Sequence, residues 1–158
     1  MGYRSEVAYA IQVDRQSSQR EPVPDKSGVW FLFLSEARVN PDTQMAMSMI
    51  DNDGKHFEGD TFWEGGLDSE NESIYLRLSD VKWYDSYPEV VSLNALMDLA
   101  EKYHVAHDCI SGSYVRIGED SDDVEERHFT ADASLLRTWC DFDAEEVRYK
   151  ANNKKGEK

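Results

Sequence analysis

Ser86-Tyr87-Pro88-Glu89-Val90-Val91-Ser92-Leu93-Asn94-Ala95-Leu96-Met97-Asp98-Leu99-Ala100-Glu101-Lys102-Tyr103-His104 is the longest run in the chain whose apolar residues keep a helical period. Leu93, Leu96, Met97, Ala100, Tyr103 and His104 recur at steps of three and four, so they share one face. Ser86 and Glu89 stand at capping-box spacing, and the run predicts a helix. On its N-terminal side, Ile74 to Leu78 and Val81 to Tyr84 read as two short strands around a tight turn at Ser79-Asp80. On its C-terminal side, Ser113 to Ile117 alternates Tyr114 and Arg116 with Val115 and Ile117 and reads as a strand ended by Gly118.

Further out, Ser5 to Val13 alternates Val7, Tyr9, Ile11 and Val13. Ala8 and Ala10 on its other face predict that this face is covered too, which makes it a central strand. Asp14 to Gly28, polar and holding Pro22 and Pro24, reads as a surface connection. Val29 to Arg38 is an apolar burst whose length and Ser35-Glu36-Ala37-Arg38 ending favour a helix. Asn40-Pro41-Asp42 has the order of an N-cap, a proline at the first helical position and an acid in the first turn. Met45, Met47 and Met49 nevertheless alternate, and Asp53-Gly54 is a hairpin signal, so helix and hairpin both remain open there. Asp51 to Glu72 reads as an acidic, partly ordered surface excursion that includes Phe57, Phe62 and Trp63.

Strand, helix, two-stranded hairpin, helix, strand predicts an α+β fold of the ferredoxin-like split βαβ kind. That is an antiparallel sheet with two helices on one face, extended here by the acidic excursion and a C-terminal section. In that section Glu126 to Thr130 reads as a strand and Leu135 to Phe142 as a short helix or strand. One domain spans 1–149, and 150–158 is a basic tail with nothing to bury.

Composition narrows the function classes. Acidic side chains number 32 against 17 basic ones, so the 158-residue chain carries −15 and a pI near 4.5. Nucleic-acid backbones and anionic bilayers are repelled by such a charge, so neither is expected as a direct partner. With 40% hydrophobic and 11% aromatic residues the chain can build a core. It has no apolar run of roughly 18 residues and no secretory segment, which predicts a cytoplasmic protein. Cys109 and Cys140 are too few for a disulfide framework.

The densest acidic run is Glu119, Asp120, Asp122, Asp123, Glu125 and Glu126, six carboxylates in eight residues. With Asp141, Asp143, Glu145 and Glu146 it can imitate a row of phosphates and occupy the basic cleft of another protein; a solvated face is the plain alternative. Trp63, beside Gly65 and Gly66, and Tyr84 are candidate apolar anchors for the same interface, and Trp83 is a core residue. The acids could instead gather a divalent cation. Asp51-Asn52-Asp53-Gly54 with Asp60 overlays part of an EF-hand loop, but its first position falls on Met49 and its last on an Asp. His104 and His107 with Cys109 have zinc-like spacing, yet only His128 and Cys140 are left to complete four ligands. A small metal-dependent hydrolase or ligand-binding protein using these carboxylates or His104 and His107 is therefore the alternative. No glycine-rich phosphate loop, dinucleotide fingerprint or nucleophile elbow occurs, and neither a cofactor nor a resident metal is expected.

Gly2-Tyr3-Arg4-Ser5-Glu6-Val7-Ala8, Val81-Lys82-Trp83-Tyr84-Asp85, and Val115-Arg116-Ile117-Gly118-Glu119-Asp120 followed by Asp123-Val124-Glu125-Glu126 resemble, in this order, a family of small proteins encoded by tailed bacteriophages and prophages. The resemblance runs from the N-terminus to about Glu126 and excludes the excursion from Asp42 to Glu72 and the section after Phe129. It implies phage origin and action in the host bacterial cytoplasm, and it supplies no catalytic residues. Accessory phage proteins of this size commonly bind and inhibit a host protein, defence nucleases included. The expectation is an acidic interaction protein that blocks a basic host protein, with no catalytic residue of its own.

Overall fold

A computed structural model of the chain describes residues 4–13, 26–52, 62–107, 109–120 and 122–129. The elements follow in the order β1 (Ser5–Val13), α1 (Lys26–Val39), α2 (Gln44–Asp51), β2 (Phe62–Asp68), β3 (Ser73–Val81), α3 (Pro88–His107), β4 (Ile110–Gly118) and β5 (Val124–Phe129). The fold is α+β: the strands form one antiparallel sheet in the order β2-β3-β1-β4-β5. None of the described helices is long and apolar enough to cross a membrane.

β1 is the central strand that its alternation predicts. Val7, Tyr9 and Ile11 pair with Leu78, Leu76 and Ile74 of β3, and Tyr9 lies between Leu76 and Tyr114 of β4. These residues belong to one buried cluster with Trp30, Phe33 and Ala37 of α1, Met47 and Ile50 of α2, and Leu93, Leu96 and Met97 of α3, so the described helices share one face of the sheet. Ala8 and Ala10, with Ser111, Ser113, Val115 and Ile117 of β4, are buried as well, on the opposite face. Each fully buried large apolar side chain contributes roughly 1.5–3 kcal/mol, so the alternation of β1 on the helix side is the main source of sheet-to-helix adhesion.

Two sequence expectations change, and one choice left open is closed. Ile74 to Leu78 and Val81 to Tyr84 are not a hairpin; β3 runs through Ser79-Asp80. The register steps from Val7↔Leu78 to Ser5↔Val81, and Asp80 takes φ 58°, so the turn-forming pair makes a bulge within one strand. Arg4 donates to the Asp80 carbonyl at 3.0 Å, and Glu6 accepts from the Asp80 N–H at 3.3 Å, which ties the bulge to β1. The true partner of β3 is β2, inside the acidic excursion. There Trp63, Gly65 and Leu67 oppose Leu78, Leu76 and Ile74. Of the two readings open for the 40–50 region, the helix is the one found: Ala46, Met47, Met49 and Ile50 are buried at helical spacing while Met45 is exposed. That gives three helices where two were expected. The Asn40-Pro41-Asp42 start is a turn ahead of it, with the Asn40 side chain accepting from the Asp42 N–H. Thr43 Oγ1 donates to the Ala37 carbonyl at 2.5 Å and joins the two helices.

α3 opens on Pro88 with Glu89 in its first turn and ends with His104 and His107, in keeping with the helix dipole. Tyr9 Oη donates to the Leu93 carbonyl at 2.8 Å, locking the middle of β1 onto α3. Burial pushes the Tyr9 phenol well above its ordinary value. Tyr114, whose ring meets that of Tyr9 edge-on at 6.4 Å, is also raised by burial; its hydroxyl lies near the Trp83 indole, and among the described residues neither group makes a well-formed hydrogen bond.

These contacts predict opposite outcomes at similar rings. Tyr9→Phe loses a buried hydrogen bond and destabilises by about 1–2 kcal/mol in urea unfolding, whereas Tyr114→Phe removes a hydroxyl with no well-formed bond among the described residues and is expected to cost less than about 0.5 kcal/mol. Both phenols stay protonated in the fold beyond the pH at which they ionise in the unfolded chain. Stability from this source is intact below about pH 10 and lost above it, and each Phe variant flattens that alkaline loss. At the β2 edge, Gly65 has φ 102° and an added Cβ would stand 2.1 Å from the Tyr75 carbonyl oxygen. At Gly66 the nearest atom is 3.6 Å away. Gly65→Ala is expected to cost about 3 kcal/mol and about 9 °C in melting temperature, and Gly66→Ala to leave melting unchanged or slightly higher.

Candidate partner-binding surface

The β4–β5 hairpin carries the acidic run. Its turn closes through Gly118 N–H to the Asp123 carbonyl at 2.8 Å and Asp123 N–H to the Asp120 carbonyl at 2.9 Å, so the carboxylates stand on an ordered frame. Glu119 accepts from the Arg4 N–H at 2.6 Å, which fixes it to the start of β1. Asp120 and Asp122 are exposed at the tip. Asp123 holds Arg116 in two hydrogen bonds at 2.7 and 3.0 Å, and Glu125 approaches the same guanidinium at 3.4 Å. Those bonds from Asp123 keep Arg116 charged against partial desolvation and raise its pKa.

Glu125 and Glu126 project to opposite sides of the sheet, because neighbouring strand residues do so. Glu125 pairs with Arg116 on the helix side, and Glu126 opposes Val115 on the other. The run is thus a wrapped edge, not one flat row. The fold adds two carboxylates that the linear sequence kept 29 and 26 residues away: Arg127 donates to Asp98 at 2.6 Å and to Glu101, both on α3. A sequence signal for them did exist. Asp98 and Glu101 lie on the polar side of the α3 pattern at a three-residue spacing, but nothing local says which strand that side borders. The assembled surface holds Asp98, Glu101, Glu119, Asp120, Asp122, Asp123, Glu125 and Glu126 around Arg116 and Arg127, a large excess of negative charge.

Of the two aromatic anchors, Tyr84 lies near this surface and Trp63 does not. Ser5 pairs with both Val81 and Gly118, so the segment after β3 and the β4–β5 turn share one end of the sheet. There Tyr84 is half-buried, with its ring edge-on to Tyr87 at 5.1 Å. Trp63 is on β2, four inter-strand steps of about 4.8 Å from β5, and packs against the core. Asp141, Asp143, Glu145 and Glu146, with Cys140 and the tail, lie outside the described residues, as do Asp53, Gly54 and Asp60 of the EF-hand-like stretch.

The described histidines have structural tasks in the fold. His104 Nδ1 donates to the Ile110 carbonyl at 2.7 Å, and its ring packs on Phe129. His107 stacks against Tyr103, and His128 Nδ1 is 3.0 Å from Ser113 Oγ. Among the described residues no three His, Cys, Asp or Glu side chains gather as a metal-holding group. At the far edge of the sheet, a cleft of about 590 Å³ between Ile50, Asp51, Gly66, Asp68, Glu70 and Tyr75 is also acidic. Two of its carboxylates have tasks: Asp51 meets Arg38 at 3.6 Å, and Asp68 accepts from Asn71, which lowers its pKa.

The two arginines differ in depth, and so in weight. The Arg116 side chain is 13% exposed and that of Arg127 is 31%. Arg116→Gln is expected to cost about 2 kcal/mol in urea unfolding, since it strands Asp123 and Glu125. Arg127→Gln is expected to cost less than about 1 kcal/mol and to lose most of that in high salt. Set against models of protein families, against curated proteins and against solved structures, the chain matches none, so the reading of this surface rests on its own residues.

Proposed function

We propose that the chain is a phage-encoded acidic interaction protein that binds a basic surface of a host protein handling nucleic acid or serving in defence, and blocks it. The observation that carries this reading is the acidic surface of the β4–β5 hairpin and α3. Its carboxylates are held on a closed turn, a paired strand and a helix by two arginines and the Arg4 backbone. Solvating charge has no need of such fixing, whereas a rigid polyanionic patch offers a basic cleft the potential of a nucleic-acid strand without paying the ordering entropy of a loop. Negative charge speeds encounter with a basic partner and makes the complex sensitive to salt. Tyr84, at the same sheet end, supplies apolar contact. Trp63 does not contribute to this face.

The same proposal takes the architecture as a ferredoxin-like split βαβ enlarged at one edge. Strands β2-β3-β1-β4 with α1 and α2 between β1 and β2, and α3 between β3 and β4, support that reading. β5 is then the addition, and it carries the acids.

Capture from a bacterial lysate tests the function. The wild-type chain at about 50 mM salt is expected to retain nucleic-acid-handling or defence proteins with basic surfaces and to release them at about 500 mM. A variant with Asp120→Lys, Asp122→Lys and Glu126→Lys, which leaves the arginine pairs in place, is expected to lose them. The same proteins on both baits would overturn the electrostatic mechanism.

A further inference from the structure

One stretch at the acidic end of the sheet is aromatic. After β3 the chain closes a turn in which the Tyr87 N–H donates to the Tyr84 carbonyl at 2.9 Å, with Asp85 and Ser86 exposed at its tip. Such a turn brings its first and fourth residues side by side. The two phenol rings accordingly meet edge to face, 5.1 Å between centroids and 70° between planes. Tyr84 is the half-buried wall of the pair, and Tyr87, 37% exposed, is the open one. Both ends of the turn are fixed. Trp83, just before it, is buried with its ring 6.0 Å from that of Tyr114, and the Tyr87 carbonyl accepts from the Val91 N–H as α3 begins.

Charge decides what such a pair can receive. From Val81 to Glu101 the chain has the carboxylates Asp85, Glu89, Asp98 and Glu101 against the single Lys82. The β4–β5 turn adds Glu119 and Asp120 at the same sheet end, since Ser5 pairs with both Val81 and Gly118. Beyond the effect of burial, Glu125 and Asp85 both push the Tyr114 phenol upward, so turn and hairpin share one field. The face of an aromatic ring attracts a cation placed over it. A guanidinium suits the place best, because it is planar and weakly hydrated and can lie on a phenol ring while its edge donates to a carboxylate. An ammonium, compact and strongly hydrated, gains less from either contact. We propose that the Tyr84–Tyr87 pair, with Asp85, is a subsite for an arginine side chain of the basic partner, the guanidinium lying over the Tyr87 ring with Asp85 as its carboxylate. This rests on the partner-binding reading of the acidic surface and deepens it: charge attracts any basic partner, and the aromatic pair selects arginine from it.

The probes are two labelled, end-blocked peptides of equal charge, tetra-arginine and tetra-lysine with glycine spacers, titrated against the full chain by fluorescence anisotropy at about 50 mM salt. The arginine peptide is expected to bind about three- to fivefold more tightly. Tyr87→Leu, which keeps an apolar side chain, and Asp85→Asn are each expected to bring the two affinities within about twofold at unchanged melting temperature. Asp122→Asn, at the hairpin tip, is expected to weaken both peptides alike and to leave their ratio in place. Independently of any variant, the arginine δ-proton signals are expected to move upfield on binding the wild-type chain, as protons over a ring face do. Equal binding of the two peptides, unshifted δ-proton signals, or an arginine preference that survives Tyr87→Leu overturns the subsite and leaves the electrostatic reading of the surface intact. No binding of either peptide also overturns the subsite, and the lysate capture judges the broader reading separately.

Discussion

Burial of Tyr9 at the crossing of the sheet and α3 is the constraint on which the rest of the molecule depends. Its ring lies between Leu76 and Tyr114, the central positions of β3 and β4, and its hydroxyl is tied to the Leu93 carbonyl. A phenol in that place needs an acceptor inside the core. The acceptor is a carbonyl within the first two turns of a 20-residue helix, so the height of α3 over the sheet is fixed to within one hydrogen bond. Once β1 is central and α3 is placed over it, β4 follows α3 directly into the sheet next to β1. β5 then has only the outer side of β4 to pair with. The position of the acidic hairpin is thus a consequence of where one tyrosine is buried.

The consequence extends to charge. Arg127 opposes Tyr114 on β5, and Tyr114 opposes Tyr9 on β1, so a straight line of cross-strand partners runs from the core to the acidic surface. At its outer end Arg127 reaches back to Asp98 and Glu101 on the helix that Tyr9 anchors. Sheet and helix are therefore joined twice, by a buried neutral hydrogen bond and by exposed ion pairs. The buried bond is the stronger tie, because exposed pairs are screened and hold long side chains at an entropic cost. The ion pairs instead set which way the acids face.

Much of this was legible in the sequence where a residue pattern meets a single physical demand. The alternation of Val7, Tyr9, Ile11 and Val13, with small residues between, marks β1 as central because only a strand covered on both faces has reason to put alanine opposite its large residues. The long period of α3 and the acids of the hairpin were equally plain. β2 was not, since its core-facing positions are Trp63, Gly65 and Leu67, and a glycine in the middle erases the alternation. Gly65 is required there because the Tyr75 carbonyl occupies the space of a Cβ. Ser79-Asp80 misled for a related reason: a residue able to adopt positive φ serves a bulge as well as a turn, and only the partner strand decides between them. Asp98 and Glu101 joined the acidic surface through a tertiary contact that no local pattern encodes.

Carboxylates crowded on one hairpin repel one another, and a chain of charge −15 gains nothing in fold stability from adding more. The arrangement of Arg116 and Arg127 shows how the hairpin tolerates them. Each guanidinium lies on the helix side of its strand, within reach of two carboxylates, where it offsets repulsion, while Asp120 and Asp122 stay exposed at the tip. This arrangement separates two demands: local pairs hold the frame, and the net negative charge sets the long-range field. A partner approaching from beyond about 10 Å responds to the field, and one in contact responds to the frame.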